Sequence, residues 1–288
     1  RNSQVRKKGE GLGQESRGIL SNQSRAAAGS MEVNMTNIIL RGCNGKMGQV
    51  ITDIVEADEN AVIMAGIDIS QGHNNKYPVY QSFGGCNVRA DVIIDFSAPV
   101  NLEAMLDYAV SRGLGIVLCT TGFSKEQLEA IEEASKQIPI LRSANMSMGI
   151  NLITKLVQEA AAILSDSGFD IEIVEKHHNR KVDAPSGTAL ALADAMNEAL
   201  NNEFKYNYDR SRERTPRSRK EIGISAVRGG TIVGEHEIIF AGTDEVIEIK
   251  HTAYSKAIFA KGAVQAAKYL PGKSAGMYKM SDLMNERG

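Results

Sequence analysis

The chain has 288 residues, of which 42% are apolar, 24% are charged and six are proline, so a disordered or low-complexity protein is excluded. The formal net charge of −2 is close to neutral, and no apolar run reaches the ~18 residues that a membrane span needs. Three cysteines without a CxxC pair exclude a disulfide framework and favour a reducing cytoplasm.

Residues 1–30 differ in composition from the rest of the chain. They are rich in Gly, Ser, Asn, Gln and Arg, and they lack the apolar stretch of a signal peptide. We expect an expression-vector leader, with a native disordered arm or a transit peptide as the alternative. The segment carries six basic and two acidic residues, which leaves 27 basic and 33 acidic residues, a net charge of −6, on the remainder.

Residues 31–148 alternate short apolar runs with amphipathic stretches. We predict helices over 46–57 and 99–112, the latter opened by Pro99, and a third helix that Ser124 begins with a capping box to Gln127. The predicted strands are 37–41, 61–67, 91–96, 115–119 and 138–141. Repeated strand–helix–strand units of this length predict an α/β, Rossmann-like domain with a parallel sheet and helices on both faces.

Residues 149–254 follow a different pattern, which predicts an α+β domain on an open mixed sheet. The predicted helices are 147–165 and 188–200, and the predicted strands are 171–175, 222–228, 231–240 and 245–254. The last three strands follow one another without long helices, which is typical of antiparallel or mixed pairing. Residues 255–288 form a third portion, with an Ala-rich helix over about 256–270.

A glycine loop lies between the first predicted strand and the first helix. Gly42, Gly45 and Gly48 recur at three-residue intervals, with Asn44 in the middle position of a dinucleotide fingerprint. Such a loop lets backbone N–H groups approach a pyrophosphate at the helix N-terminus, and Gly48 permits close helix–strand packing. A purely structural turn is the alternative. The candidate cofactor contacts here are Gly42, Cys43, Asn44, Gly45, Lys46 and Met47.

Asp68 ends the second predicted strand, twenty residues after Gly48. An acidic residue at this place accepts hydrogen bonds from the ribose hydroxyls of NAD and repels a 2′-phosphate. The next three residues, Ile69 to Gln71, offer no cation for that phosphate. We therefore predict NADH as the preferred cofactor over NADPH, unless Asp68 only caps a turn.

Small and polar residues stand at three more predicted strand ends. Ligands of open parallel sheets bind beyond the carboxyl ends of the strands, so these residues suit a nicotinamide pocket, although ordinary turn chemistry is the alternative. The candidates are Phe96, Ser97, Cys119, Thr120, Thr121, Ser143, Ala144, Asn145 and Met146.

The histidine segment, residues 175–190, is the richest in chemistry. Pro185 and Ser186 signal a helix start, so the N–H groups of Gly187 and Thr188 are free to bind a carboxylate or a phosphate. His178 and Lys181 complete this anion site, and the histidine segment also offers proton donors in His177 and Lys181. Zinc and a solvated basic loop are the alternatives, but adjacent histidines on an extended chain point to opposite sides.

The run Glu-x-His-His-x-x-Lys-x-Asp-Ala-Pro-Ser-Gly-Thr-Ala at 175–189 resembles the substrate motif of the 4-hydroxy-tetrahydrodipicolinate reductase (dihydrodipicolinate reductase) family. The glycine loop, Asp95-Phe96-Ser97, Thr120-Thr121-Gly122-Phe123, and the runs at 227–236 and 251–263 are similar to other motifs of that family. The resemblance covers essentially all of 36–284.

The resemblance implies a cytoplasmic homotetramer, built through the second domain, that reduces a cyclic dicarboxylate on the route to diaminopimelate and lysine. It implies that NADH or NADPH delivers hydride as water leaves and that His177 or Lys181 donates a proton; from the spacing of the histidines we expect no metal. It places the substrate against His178, Lys181, Ser186, Gly187 and Thr188. It also implies domain closure about hinges near 147–150 and 254–256, with the last helix returning to the first domain.

Three residues depart from the family pattern. Cys119 stands where the family often has Gly, Met146 where it often has an aromatic residue, and Asp68 where many members have Glu followed by Arg. The arginine segment, residues 205–220, carries seven basic and two acidic residues and either steers the substrate or forms a solvated flap.

Two other functions stay open from the sequence. A semialdehyde or sugar dehydrogenase would share the first domain, and its aldehyde form would use Cys119 as the nucleophile. An NADH-sensing regulator would need a nucleic-acid surface, for which the arginine segment is the one candidate. The net charge of −6 on residues 31–288 argues against nucleic acid as a partner.

Overall fold

A computed structural model describes residues 35–70, 72–143, 145–211 and 213–286. The predicted leader 1–30 and the candidate residue Ala144 lie outside the described residues. The strands are β1 (Thr36–Arg41), β2 (Ala61–Ile67), β3 (Val79–Tyr80), β4 (Val92–Asp95), β5 (Gly115–Leu118), β6 (Pro139–Arg142), β7 (Asp170–His177), β8 (Lys205–Asn207), β9 (Glu221–Arg228), β10 (Gly234–Ala241), β11 (Val246–Ala253) and β12 (Gly276–Tyr278).

Helices connect most of these strands. They are α1 (Lys46–Glu56), α2 (Leu102–Arg112), α3 (Lys125–Ser135), α4 (Met148–Leu164), α5 (Gly187–Ala199), α6 (Ala257–Tyr269) and α7 (Met280–Asn285), with a short 3₁₀ turn at Phe83–Gly85. Among the described residues, no helix is long and apolar enough to cross a membrane.

The first sheet is parallel and has seven strands in the order β12-β6-β5-β4-β1-β2-β3. Alternation of side chains in β1 sends Ile38 and Leu40 to one core and Ile39 to the other. Helices α1 and α6 pack in the first core, and α2 and α3 pack in the second. The predicted Rossmann-like architecture is therefore confirmed.

The second sheet is mixed, with the order β11-β10-β7-β9-β8. Strand β10 pairs antiparallel with β11 and β7, whereas β9 pairs parallel with β7 and β8. Strand β7 alternates half-buried and buried residues, and its inward side chains pack with α4 and α5. The expected open mixed sheet is confirmed.

The C-terminal portion completes the first sheet and its core. Strand β12 pairs with β6. Met146, from the segment before α4, packs in the core beneath α1. Helices α6 and α7, with Leu270 at the end of α6, contribute eight buried residues to the same core: Ala260, Ala263, Val264, Ala266, Ala267, Leu270, Met280 and Leu283. Gly262 makes this packing possible, because a Cβ on it would lie 1.7 Å from the carbonyl oxygen of Met146.

Two predicted boundaries are wrong. Pro99 does not open α2: Val100 N–H bonds back to Ala98 O, Asn101 adopts a left-handed conformation with φ 53°, and the helix begins at Leu102. The strand predicted over 231–240 begins at Gly234, because the chain first turns through Gly230 with φ +49°. The capping box of Ser124 and Gln127 is confirmed, with both bonds present at the start of α3.

Candidate active site

Two cavities lie along the carboxyl edge of the first sheet and between the two sheets. The first has a volume of about 410 Å³, and five of the predicted cofactor residues line it: Gly42, Gly45, Asp68, Phe96 and Ser97. The second has a volume of about 250 Å³ and is lined by residues of the histidine segment together with β10, β11 and the start of α6.

The glycine loop is as tight as its spacing predicts. Gly42 has φ +80°, and a Cβ on it would lie 2.5 Å from the carbonyl oxygen of Phe96. A Cβ on Gly48 would lie 2.1 Å from the carbonyl oxygen of Gly42, so larger residues would push α1 away from the loop. The loop therefore brings the N-terminus of α1 against the strand ends, which is the arrangement that binds a pyrophosphate.

Asp68 faces the loop from the end of β2. Its carboxylate accepts hydrogen bonds from Asn44 N–H at 2.9 Å and from Ser70 N–H and Oγ at 2.9 and 2.6 Å. Burial acts to raise the pKa of Asp68, but the bonds from Ser70 and Asn44 hold that pKa below its ordinary value. The side chain is therefore an anion fixed at the rim of the first cavity.

The other predicted cofactor residues divide into three groups. Thr120 meets Ser97 across neighbouring strand ends, since its Oγ1 accepts from Ser97 N–H at 3.1 Å, and Cys119 and exposed Thr121 flank it. Cys43, Met47 and Met146 pack into the core. Lys46 is exposed, Ser143 donates to Asn145 O at 2.9 Å, and Asn145 lines the second cavity rather than the first.

Cys119 does not have the environment of a nucleophile. Burial, and next the Asp95 carboxylate, raise the pKa of the Cys119 thiol well above its ordinary value. A thiol that stays protonated at neutral pH attacks carbonyls poorly. The structure therefore removes the one residue on which the aldehyde dehydrogenase alternative depended.

Two lysines, together with His178, line the second cavity. His178 and Lys181 come from the loop after β7, and Lys256 comes from the residue before α6. Burial, and next the positive charges of Arg180 and Lys256, lower the pKa of His178. Lys181 Nζ lies 2.9 Å from Asp183 Oδ2, but the Asp183 side chain is 59% exposed, so water screens this pair. The cavity suits an anion.

His177 is oriented by Glu175, its neighbour on the inward face of β7. Its Nδ1 lies 2.6 Å from Glu175 Oε2, and both side chains are buried. On the other side of the ring, a Cβ on Gly234 would lie 3.0 Å from His177 Nε2. Because position 234 has no side chain, Nε2 keeps open space on the cavity side.

The start of α5 closes the base of the second cavity. Ser186 caps the helix by accepting from Ala189 N–H at 3.1 Å, and its Oγ lies 2.9 Å from His236 Nε2. Gly187 is the first residue of α5, and Thr188 lines the cavity, where Asn145 donates to its Oγ1 at 3.2 Å. The helix N-terminus is therefore in place, while Ser186 itself is buried as a cap.

The arginine segment lies elsewhere. Arg217 contacts Asp170 and Glu172 at 2.9 and 3.3 Å, near the start of β7, whereas the histidine segment begins near the end of that strand. These ends are roughly 23 Å apart at about 3.3 Å per residue. The two positive segments therefore do not form one surface.

Six residues at the site were absent from the predicted set. Five of them stand outside the histidine segment, in the runs 227–236 and 251–263, where spacing alone gave them no role: Arg228, Gly234, His236, His251 and Lys256. The sixth, Glu175, begins the histidine segment, and only the structure shows what it touches. Pairing of β7 with β9 and β10 brings Arg228 and His236 to the site.

Comparison with known proteins agrees with this geometry. The family models for the dihydrodipicolinate reductase N-terminus and C-terminus match residues 36–146 and 149–284. The chain is 49% identical over 253 residues to 4-hydroxy-tetrahydrodipicolinate reductase of Clostridium novyi, covering 88% of this chain and 100% of the relative. The protein of that name from Caldanaerobacter subterraneus is 49% identical over 252 residues, covering 88% and 99%.

Solved structures share the fold. A dipicolinate-bound dihydrodipicolinate reductase from Paenisporosarcina superposes with a TM-score of 0.72 at 23% identity, covering 85% of this chain and 97% of that one. Myo-inositol 2-dehydrogenase from Lactobacillus plantarum gives a TM-score of 0.53 at 11% identity, covering 87% and 94%. With both family models matched over nearly all described residues, the chain belongs to the dihydrodipicolinate reductase family.

Proposed function

We propose that this protein uses a reduced pyridine nucleotide to convert 4-hydroxy-tetrahydrodipicolinate into tetrahydrodipicolinate, with loss of water, in diaminopimelate and lysine biosynthesis. Family membership supports this reaction. The observation that carries it is the second cavity, where His178, Lys181 and Lys256 stand beside the nucleotide-binding edge. A dicarboxylate is the complement of such a cavity.

The glycine loop and Asp68 fit a pyridine nucleotide, because α1 begins at Lys46 with no side chain capping its first N–H groups and Asp68 offers a carboxylate to a ribose. When bound, the cofactor supplies a hydride to C4 of the substrate. The chain's own residues do the rest: Lys181 and Lys256 hold the carboxylates and stabilise the electron density that builds on the ring.

A proton must then reach the carbon beside C4. His177 Nε2 and Lys181 Nζ are the donors within the second cavity; an N–H bond breaks, a C–H bond forms, and the neutral base remains on the protein. Closure of the second domain about 147–150 and 254–256 would exclude water during this step.

The experiment that tests this function couples the protein to the synthase that condenses pyruvate with aspartate semialdehyde, and follows the loss of reduced-nicotinamide absorbance. We expect oxidation that needs both the synthase and its two substrates. Omission of the synthase is the control. No substrate-dependent oxidation would reject the function.

The preference of the enzyme for NADH over NADPH is a separate proposal, which Asp68 supports. We expect a higher kcat/KM with NADH, and we expect Asp68→Ala to reduce that preference because repulsion of a 2′-phosphate is lost. Steady-state kinetics with both cofactors test it, with Asp58→Ala, which pairs with Lys268 away from the first cavity, as the control.

A cytoplasmic homotetramer is also part of the proposal. The three cysteines are free thiols, as a reducing compartment favours. Strand β11 exposes Val246 and Ile247, and α4 exposes Leu152 and Ile163, so apolar side chains on the second domain are available for subunit contacts. Light scattering of the purified protein measures the oligomeric state, and a monomer would contradict this assembly.

A further inference from the structure

A buried ion pair behind the second cavity does not touch the space where substrate would bind. Glu175 has no exposed side-chain surface, and the carboxylate is bound by both Nη atoms of Arg228, at 2.6 and 2.8 Å. It also accepts from Ser186 N–H at 2.9 Å. Burial of a charge is costly unless it is paired and hydrogen-bonded, and these bonds meet that cost for the Glu175 carboxylate.

The ionisation of Glu175 decides where His177 carries its proton. Burial acts to raise the pKa of Glu175, but hydrogen bonds from Arg228, His177 and Ser186 hold it below its ordinary value. An ionised carboxylate only accepts, so the atom that faces it, His177 Nδ1, must carry a hydrogen. The other ring nitrogen, Nε2, is left toward the open space beside Gly234.

The same ion pair also holds the C-terminal end of the loop that carries Lys181. Arg228 Nη2 donates to Asp183 O at 2.7 Å, and Glu175 accepts from Ser186 N–H. Strand β9 presents Arg228 directly opposite His177 in the parallel register. One pair of charges therefore fixes the ring of His177 and the backbone on either side of Pro185.

We propose that the Glu175–Arg228 ion pair is a positioning device, which fixes the hydrogen of His177 on Nδ1 and directs Nε2 into the second cavity as the proton-donating atom. The proposal rests on the proposed function for the meaning of that proton. To act, the ring takes a second proton from water on Nε2; the Nε2–H bond then breaks as a C–H bond forms on the substrate carbon, and the ring becomes neutral with its Nδ1 hydrogen still donated to Glu175.

Glu175→Gln tests this positioning role, because it removes the charge of residue 175 and keeps the size of its side chain. Arg228 would take the amide oxygen, which turns the NH₂ group toward Nδ1, so the neutral ring of His177 would carry its hydrogen on Nε2 instead. Two-bond ¹H–¹⁵N spectra of histidine-labelled protein report this tautomer. We expect the Nδ1–H form in the wild type and the Nε2–H form in the variant.

The kinetic readout separates positioning from general damage. We expect Glu175→Gln to lower kcat about 10²-fold while KM changes less than about threefold, and Glu175→Asp to recover part of kcat. The matched control is Glu237→Gln on the neighbouring strand β10. The carboxylate of Glu237 lies 3.9 Å from Lys176 Nζ, so its removal should leave the His177 tautomer and kcat unchanged. Should Glu175→Gln not fold, Glu175→Gln with Arg228→Gln removes both charges together and is measured in its place.

Each outcome decides the proposal. A kcat near wild type, or a reduced kcat with the tautomer unchanged, would overturn it. A wild-type protein without substrate-dependent oxidation would reject the proposed function alone, since the spectra report the tautomer whether or not the protein turns over.

Discussion

The histidine segment and the arginine segment are both basic in sequence, yet they meet different surroundings. In the histidine segment, the carboxylate of Glu175 is already held by Arg228, and His178 and Lys181 face the second cavity. In the arginine segment, Arg217 faces the carboxylates of Asp170 and Glu172. The cations of the histidine segment are therefore available to an anionic substrate because they face a cavity, although Lys181 also pairs with the exposed carboxylate of Asp183, whereas Arg217 faces carboxylates of β7.

The acidic residues opposite the arginine segment come from its two flanks as well as from strand β7. Arg210 pairs with Glu221, and Lys220 pairs with Glu203, in addition to the contacts of Arg217. Burial raises the pKa of Glu172, while the positive charge of Arg217 opposes that rise. These contacts indicate a structural role for the arginine segment and argue against substrate steering.

Substitutions in the histidine segment should give the largest effect. We expect His177→Gln and Lys181→Ala to reduce turnover by ~10²-fold or more if they supply the proton, and Lys181→Ala also to raise KM because a carboxylate loses its partner. The coupled assay measures both constants. Lys205→Ala, an exposed cation of the arginine segment, is the control. Near-normal turnover in both His177→Gln and Lys181→Ala would mean that the histidine segment, like the arginine segment, does not act in the reaction.

Arg217→Ala should affect stability instead of activity. Loss of Arg217 leaves Glu172 and Asp170 without their cation, and we expect unfolding to become easier by about 2 kcal/mol, less than for a fully buried pair. Urea denaturation measures this change, and kcat/KM should stay within about twofold of wild type. A fall in kcat/KM at unchanged stability would instead support steering.

His236, beside the histidine segment, should make stability depend on pH. Burial, and next the neighbouring His177, lower the pKa of His236 to about 4 from 6.5. The native state therefore disfavours the proton, so stability is fully present above pH ~6.5 and is lost as pH falls toward 4. Between pH 7 and pH 5 we expect a loss of roughly 1.8 kcal/mol from this group.

Urea denaturation of the wild type and of His236→Gln at these two pH values isolates that loss, since glutamine keeps a partner for Ser186 without titrating. The variant should lose less stability than the wild type over this range. Equal losses in both proteins would show that His236 does not sense pH.

The smallest effect is expected at the surface of the arginine segment. Lys220 pairs with Glu203, and these two side chains are 62% and 52% exposed. Exposed pairs contribute little, so Lys220→Ala should change the free energy of unfolding by less than about 0.5 kcal/mol and leave kcat/KM unaltered. A loss of stability as large as that expected for Arg217→Ala would mean that side-chain exposure does not determine how much these ion pairs stabilise the protein.

Periodicity and turn chemistry predicted the elements that depend on local signals. Strands β1, β2, β4, β5 and β6 of the first sheet, the cap at Ser124 and the helix start at Ser186 all follow from residues close in sequence. The two-residue strand β3 and the three-residue strands β8 and β12 are too short for any periodicity, and they exist because a neighbouring strand offers hydrogen bonds.

The site was only partly predictable for a similar reason. His177, His178 and Lys181 stand together in sequence, and all three line the second cavity. The partners of Glu175 could not be inferred, because Arg228 is 53 residues away and meets it only through the pairing of β7 with β9. The pairing that neutralises Arg217 depends on the same kind of long-range contact.

The return of α6 and β12 to the first sheet has a consequence for synthesis. Residues from α6 and α7 fill the core that β1, β4 and α1 begin, so that core stays incomplete until the end of the chain has emerged. A ribosome that adds about 5–20 residues per second needs on the order of ten seconds to pass from Arg142 to Ala257. During that time β6 is an open edge, and the nascent first domain is a natural client for a chaperone.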